Sequence, residues 1–433
     1  MSGRKIVLAG LAVALVLGSA SRLGAQQMPY GTQEHNTCIA ATDVQDPKER
    51  LQAIETCLQT YPQTVLRAFV YPKQFRTAWA LKRYTTVMKA VNDFLALDRD
   101  QVLALYKQWK YNDMQIDSVY YEGLVVYTFS FLQTFRNGTP NADLVAGKAA
   151  ERARQGLELH EKVYRQVQPP AGAAERQQFE QRKRQAEAAF RSVLALVAWR
   201  QKDYSTAARQ YGALVDYTPD NAAYNYYLGR ALLQKEPREW ERGLWYVARA
   251  VALGIRKSEE VKSYLLKNVA AYQRVFPACS TRQVERLLAE ARASASPPPA
   301  WPLVTAEEVN ALRQDLTVKR IFDDLKVGGE QEELIWLASC GMEFPEMDGK
   351  VIEVSESADN LVTLRLAATQ EAAEANTPNV EVKVAEPPEA KNLQAGDFIR
   401  FSGILSDYKS QPQFLVKLTG GKINPETIPK TRR

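Results

Sequence analysis

Apolar residues recur at spacings of three and four from about residue 35 to 293, and nothing else constrains the fold so strongly. Between Gln185 and Arg200 they fall at Ala186, Ala189, Phe190, Val193, Leu194 and Val197, one face of a helix, with Arg191, Ser192 and Arg200 off it. The polar turn Gln201-Lys202-Asp203 breaks that helix. A second, from about Ser205, turns Ala207, Ala208, Tyr211, Leu214 and Val215 inward and stops before Pro219. The pair is a helical hairpin. The same rhythm predicts helices over Glu49–Tyr61, Ala78–Leu97, Val102–Trp109, Ser118–Phe135, Lys148–Gln166 and Lys257–Phe276. Hairpins of this kind bury their faces only by stacking, so an irregular α-solenoid is expected, with a compact bundle as the alternative.

The hairpin resembles a tetratricopeptide (TPR) repeat, a unit of about 34 residues with small and large positions fixed along it. Leu194-Ala195 stand where the family has Leu-Gly, Asp203-Tyr204 lie in the turn, Ala207 and Tyr211 take the small and aromatic positions, and Pro219 closes the unit. The next stretch opens again with Tyr227-Leu228-Gly229. It then departs, because Pro237 and extra residues lengthen the turn before Trp240, Gly243 and Ala250. The resemblance implies a concave groove for peptide or protein partners, with Ser192, Leu196, Trp199, Arg200, Tyr226 and Arg230 facing it. Trp, Tyr and Arg suit an interface hot spot, which puts the partner-binding expectation on Trp199, Arg200, Tyr226 and Arg230. The alternative is that Trp199 and Tyr226 pack against neighbouring hairpins. Ser192 and Leu196 do not fit the Lys/Asn set with which some TPR domains grip a carboxyl terminus.

Residues 294–302, Ser-Ala-Ser-Pro-Pro-Pro-Ala-Trp-Pro, end the helical region in a semi-rigid spacer, with Trp301 available to dock. Thr305 and Glu308 read as a capping box, a helical segment runs on to about Lys326, and another spans Glu330–Ser339. After Gly349 the period changes. Short β-branched runs at Lys350–Val354, Leu361–Leu366, Val380–Val384, Asp397–Leu405 and Gln413–Leu418 imply five strands and a small closed barrel. Gly396-Asp397 before a strand, with Gly403 to bend it, resembles an oligonucleotide/oligosaccharide-binding (OB) barrel. The organisation expected is mainly α: a leader at 1–25, a TPR-like helical domain at 26–293, a linker at 294–302, a helical connector at 303–342, an OB-like barrel at 343–425 and a basic tail at 426–433.

Arg4 and Lys5 precede an apolar run, Ile6–Leu17, followed by small residues at Gly18-Ser19-Ala20 and again at Leu23-Gly24-Ala25. That is the layout of a secretory signal peptide, so an exported protein of the periplasm or exterior is expected. An uncleaved anchor is the alternative, though the run falls short of the roughly 20 residues of a span. Export permits disulfides among Cys38, Cys57, Cys279 and Cys340. Cys38 and Cys57 bracket a turn near Asp43–Asp46 and are the favoured pair, Cys279 and Cys340 straddle the linker, and four buried thiols satisfy the same count. Asn137-Gly138-Thr139 matches a glycosylation acceptor.

The chain has only two histidines, His35 and His160, which leaves little for a zinc site or a Ser–His–Asp triad. No GxSxG is present, and Gly420-Gly421-Lys422 lacks the rest of a phosphate loop. No catalytic, cofactor or metal residue is nominated. Net charge is +6, falling to about +3 without the leader, and residues 343–433 hold 11 basic against 14 acidic residues, the wrong sign for a phosphate backbone. The function expected is a non-catalytic scaffold for protein or peptide partners at the cell envelope, with neither nucleic acid nor cofactor. A carbohydrate- or peptidoglycan-binding module, using the barrel or the aromatic run from Tyr106 to Phe135, is the alternative, although Tyr120, Tyr127 and Phe131 keep the spacing of a helical core.

Overall fold

The computed structural model describes residues 31–136, 138–356, 361–386 and 388–429. The expected leader, the acceptor Asn137 and the end of the basic tail lie outside them. Contacts divide the described residues into two compact units: residues 31–219 with Gln234–Glu236, and Asp220–Leu233 with the described residues from Pro237 to 429.

Among the described residues the first unit holds nine helices: α1 (Thr32–Asp43), α2 (Pro47–Thr60), α3 (Arg67–Ala80), α4 (Tyr84–Leu95), α5 (Arg99–Gln108), α6 (Asp113–Thr134), α7 (Ala142–Gln166), α8 (Ala173–Arg200) and α9 (Tyr204–Tyr217). Local chemistry starts them. Asp46 accepts from the backbone of Lys48 and Glu49 ahead of α2, and Asn112 and Gln115 close a capping box on α6. Helix α6 is apolar all round and is therefore the helix the others wrap. Ile116 and Phe131 are 0% exposed, Tyr127 is 2% and Tyr120 is 7%, so most of the aromatic run is core and not a stacking platform. Cys38 and Cys57 are joined between α1 and α2, with Cα atoms 5.2 Å apart.

One expected helix, Ala78–Leu97, is in fact two. The chain turns at Leu81–Arg83, where Lys82 adopts φ 56°. Its N–H reaches Trp79 O at 2.9 Å and that of Arg83 reaches Ala78 O at 2.8 Å, the double closure of a Schellman turn. Neither glycine nor proline marks that corner.

The second unit begins with α10 (Ala222–Gln234, up to Leu233), α11 (Trp240–Ala252), α12 (Ser258–Gln273) and α13 (Thr281–Ala293). Gly229 and Gly243 let α10 and α11 approach to backbone contact. The proline-rich stretch is held down at its end: Trp301 packs edge-on to Tyr272, Leu303 is 4% exposed and Val304 N–H donates to Gln283. The helical segment expected to run to Lys326 is broken at Gln314–Thr317, giving α14 (Ala306–Arg313) and α15 (Val318–Val327), because the Thr317 side chain caps a new start. Helix α16 (Glu330–Ser339) follows.

The barrel comprises β1 (Glu343–Glu356), β2 (Val362–Ala367), β3 (Val380–Glu386), β4 (Phe398–Lys409) and β5 (Leu415–Ile423), with α17 (Gln370–Glu374) between β2 and β3. The strands close in the order β1-β2-β3-β5-β4, antiparallel except for the parallel pair β3–β5. β1 starts seven residues before the expected Lys350, since its first half alternates poorly and is shifted in register between Phe344 and Met347. The expected bend at Gly403 is present as a register shift between Ser402 and Ile404. Ile321, Phe322, Leu325 and Ile335 of α15 and α16 join Val351, Leu364, Phe401 and Leu418 in one core. Cys279 and Cys340 are bonded at the end of α16, and Trp336 Nε1–H donates to Cys279 O at 2.9 Å.

Candidate functional site

Trp199 and Arg200, two of the expected partner-binding residues, end α8 in the first unit. Trp199 belongs to a corner whose sequence pattern recurs in the chain. Ala198-Trp199-Arg200-Gln201-Lys202-Asp203-Tyr204 turns through Lys202 at φ 60°, with bonds to Trp199 O and Ala198 O, and the rings of Trp199 and Tyr204 meet at 5.3 Å. Ala78-Trp79-Ala80-Leu81-Lys82-Arg83-Tyr84 makes the same turn, with Trp79 and Tyr84 at 5.7 Å. The shared Ala-Trp-x-x-Lys-x-Tyr spacing was visible in the sequence, but only the paired corners reveal its meaning. Arg200 stacks over Phe135 at 5.3 Å and bonds Asp143 at 2.9 Å.

Tyr226 and Arg230 lie one turn apart on α10, in the second unit. The Arg230 guanidinium sits 5.4 Å from the Tyr226 ring and 5.5 Å from that of Tyr264 on α12. A cation stacked between two rings is a rigid, half-buried group with its rotamer already fixed. Ser192 and Leu196 are half-buried along α8.

A cleft of about 600 Å³ lies in the second unit, with no local motif to announce it. Helix α15 forms one side. The other is built by Ala368–Ala375 around α17, the Thr377–Asn379 turn and the β4–β5 loop. Phe322, Met347 and Phe414 supply apolar lining, and the Phe322 and Phe414 rings meet at 5.9 Å. The far wall is internally satisfied: Asn379 accepts from Ala368 N–H at 2.8 Å and donates to Thr369 at 3.0 Å, and Gln413 donates to Pro378 O at 3.1 Å. The rim is charged. Lys326 bonds Glu371 at 2.9 Å, while exposed Lys319 and Asp323 make no ion pair among the described residues. The missed signal is the β-branched start of α15 beside Lys319 and Asp323, which alone says only that a helix begins. Volume, apolar lining and a few charges at the edge are the marks of a binding site.

Two other surfaces offer less. Across the outside of the barrel, charges alternate strand by strand: Glu353, Arg365, Glu381, Lys417 and Asp407. Arg365 bonds both neighbouring acids, at 3.1 and 3.3 Å, and Lys417 bonds Asp407 at 2.7 Å. Such a belt, three acids against two bases laced by ion pairs, offers no attraction to a polyanion. Tyr408 is 2% exposed and locked against Trp336, Arg282 and Glu332, and Phe401 is 0% exposed, so neither ring offers a ligand a stacking face. Phe414 lines the cleft.

A buried titratable chain runs through the first unit between α6, α7 and α8. His160 Nδ1 bonds the Tyr121 hydroxyl at 2.8 Å, and its Nε2 lies 3.9 Å from Glu187, which Arg191 holds at 2.7 Å. Burial lowers the His160 pKa, opposed by Glu187 and Glu161 and aided by Lys183 and Arg191. Burial also pushes Glu187 up, but hydrogen bonds from Tyr217 and Arg191 and the Arg191 charge hold it below the usual carboxylate range. His160 is 1% exposed, so no substrate reaches it in this conformation. Among the described residues no cluster of three His, Cys, Asp or Glu is placed to hold a metal, and no helix is long and apolar enough to cross a membrane.

No family model matches the chain, and no curated protein matches it. Among solved structures it is similar to the TPR2AB domain of yeast Sti1 in a pHSP90 complex, at 12% identity over 60% of this chain and 97% of that one, with a TM-score of 0.18. A score that low adds nothing to the fold, which rests on the helical hairpins and the closed barrel themselves.

Proposed function

We propose that this is a non-catalytic interaction protein whose second unit captures a segment of a partner protein. The observation that carries the reading is the cleft beside the barrel: an apolar lining of Phe322, Met347 and Phe414 under a rim bearing both signs of charge. Tyr226 and Arg230 in the second unit, and Trp199 and Arg200 in the first, are proposed as further contact residues, on the strength of their aromatic and guanidinium chemistry. The strand order and the parallel β3–β5 pair support an OB-like barrel used as a rigid support. The basic and apolar leader, with both disulfides formed, supports an exported protein working at the cell envelope.

Photo-crosslinking from position 413, at the edge of the cleft, tests the role in the intact chain. Discrete protein adducts that vanish on Phe414→Ala are the expected result. Adducts to polysaccharide alone, or protein adducts indifferent to Phe414→Ala, overturn it, and the first of these outcomes favours the carbohydrate-binding alternative.

A further inference from the structure

We infer that the cleft receives an amphipathic helix of the partner, with large apolar side chains against Phe322, Met347 and Phe414, an acidic side chain at Lys319 and a basic one at Asp323. This deepens, and rests on, the partner-capture reading above. The class of occupant follows from what the cleft lacks and what it offers. A strand-forming segment binds by adding itself to a strand edge, and a closed barrel has no such edge. Backbone groups along the far wall are engaged: Thr377 N–H with Ala372 O, Asn379 N–H with Leu366 O, Asn379 O with Val416 N–H and Pro378 O with Gln413. An incoming strand would bury its own peptide groups here without partners, which is unfavourable. A helix satisfies its backbone internally and needs only side-chain contacts, as helix-in-groove recognition does.

The charges define the rest. Lys319 and Asp323 stand one turn apart on α15, both exposed and both without an ion pair among the described residues. Nearby, Lys326 and Glu371 are consumed by each other, bridging α15 and α17. Among the described residues the cleft therefore presents Lys319 as an available cation and Asp323 as an available anion beside an apolar lining. A partner helix with an acid and a base flanking its apolar face complements that arrangement, whereas a uniformly acidic or basic helix leaves one of the two opposed.

The test uses the full chain and two fluorescein-labelled, alanine-based helical peptides with leucines along one face. One carries a glutamate and a lysine flanking that face, and the other has glutamine in place of the glutamate. Anisotropy titrations are run on the wild type, Phe414→Ala and the exposed-site variant Lys319→Met. Phe414→Ala is expected to weaken both peptides roughly tenfold by removing an anchor. Lys319→Met is expected to weaken the glutamate peptide roughly two- to fivefold, the size of a partly exposed ion pair, and to leave the glutamine peptide unchanged. Equal effects of Lys319→Met on both peptides overturn the charge assignment. Failure of both peptides to bind, or binding indifferent to Phe414→Ala, overturns the helix assignment. Crosslinking from position 413 to a protein that persists in that event leaves partner capture standing, so the two failures are distinguishable.

Discussion

A β-carbon added at Gly229 would lie 2.7 Å from both Gly243 O and Val247 N, backbone atoms that have nowhere to go. Gly229→Ala is therefore expected to destabilise the second unit by about 1–3 kcal/mol, the usual cost of overpacking. Gly212, inside α9, meets nothing within 4 Å of the same added carbon. There the substitution removes backbone entropy from the unfolded chain, and Gly212→Ala should stabilise by about 0.5–1 kcal/mol. Urea unfolding of the two variants checks the pair; a common sign would refute the close-approach account. His160 gives a pH signature. Burial keeps its folded pKa below the ordinary value, so the unfolded chain binds the extra proton first as pH falls through about 6.5. Its contribution is thus complete at pH 7.5 and declines below 6.5, by at most about 1.4 kcal/mol per pH unit. Glu187 is shifted downward, so its contribution persists through this window and is lost only at more acidic pH. His160→Gln should flatten the loss of stability between pH 7.5 and 5.5, and an unchanged slope would place the titration elsewhere.

Elements were legible where their signal was periodic. The α8–α9 hairpin, the five strands and the capping box at Thr305 were all readable, because amphipathic spacing and turn chemistry are local. The α3–α4 corner was not, since a lysine in the left-handed region looks like any helical residue. Such a residue costs roughly 1–2 kcal/mol that glycine avoids. Lys202→Gly is accordingly expected to raise the melting temperature, and Lys202→Val, β-branched at the same dihedrals, to lower it. Identical melting of the two variants would mean the corner is not under that strain. The cleft was illegible for a different reason. Its lining comes from α15, β1, the β2–β3 connection and the β4–β5 loop, segments almost 100 residues apart that only barrel closure brings together. Trp199 shows the converse: its chemistry was plain in the sequence, yet its contact with Tyr204, repeated by Trp79 and Tyr84, assigns it a place in a corner.

At the scale of the whole molecule, each unit carries its own covalent tie. Cys38–Cys57 spans 19 residues of the first unit, and Cys279–Cys340 spans 61 residues of the second. In the chain-entropy picture these closures restrict the unfolded state by about 3 and about 4 kcal/mol respectively. The larger loop also has more native structure depending on it. It joins the segment before α13 to the end of α16, beside the Trp336 bond to Cys279 O and the Arg282–Glu332–Tyr408 cluster, so it fastens helices to barrel inside the second unit. Replacing both members of each pair by serine should therefore lower thermal stability in both cases, with the greater loss for Cys279→Ser/Cys340→Ser. Reducing agent should lower the melting temperature of the wild type and leave a variant lacking all four cysteines unmoved. Should the reduced and oxidised wild type melt together, the bridges would contribute nothing to stability, and the proposal of an exported protein would lose the support it takes from them.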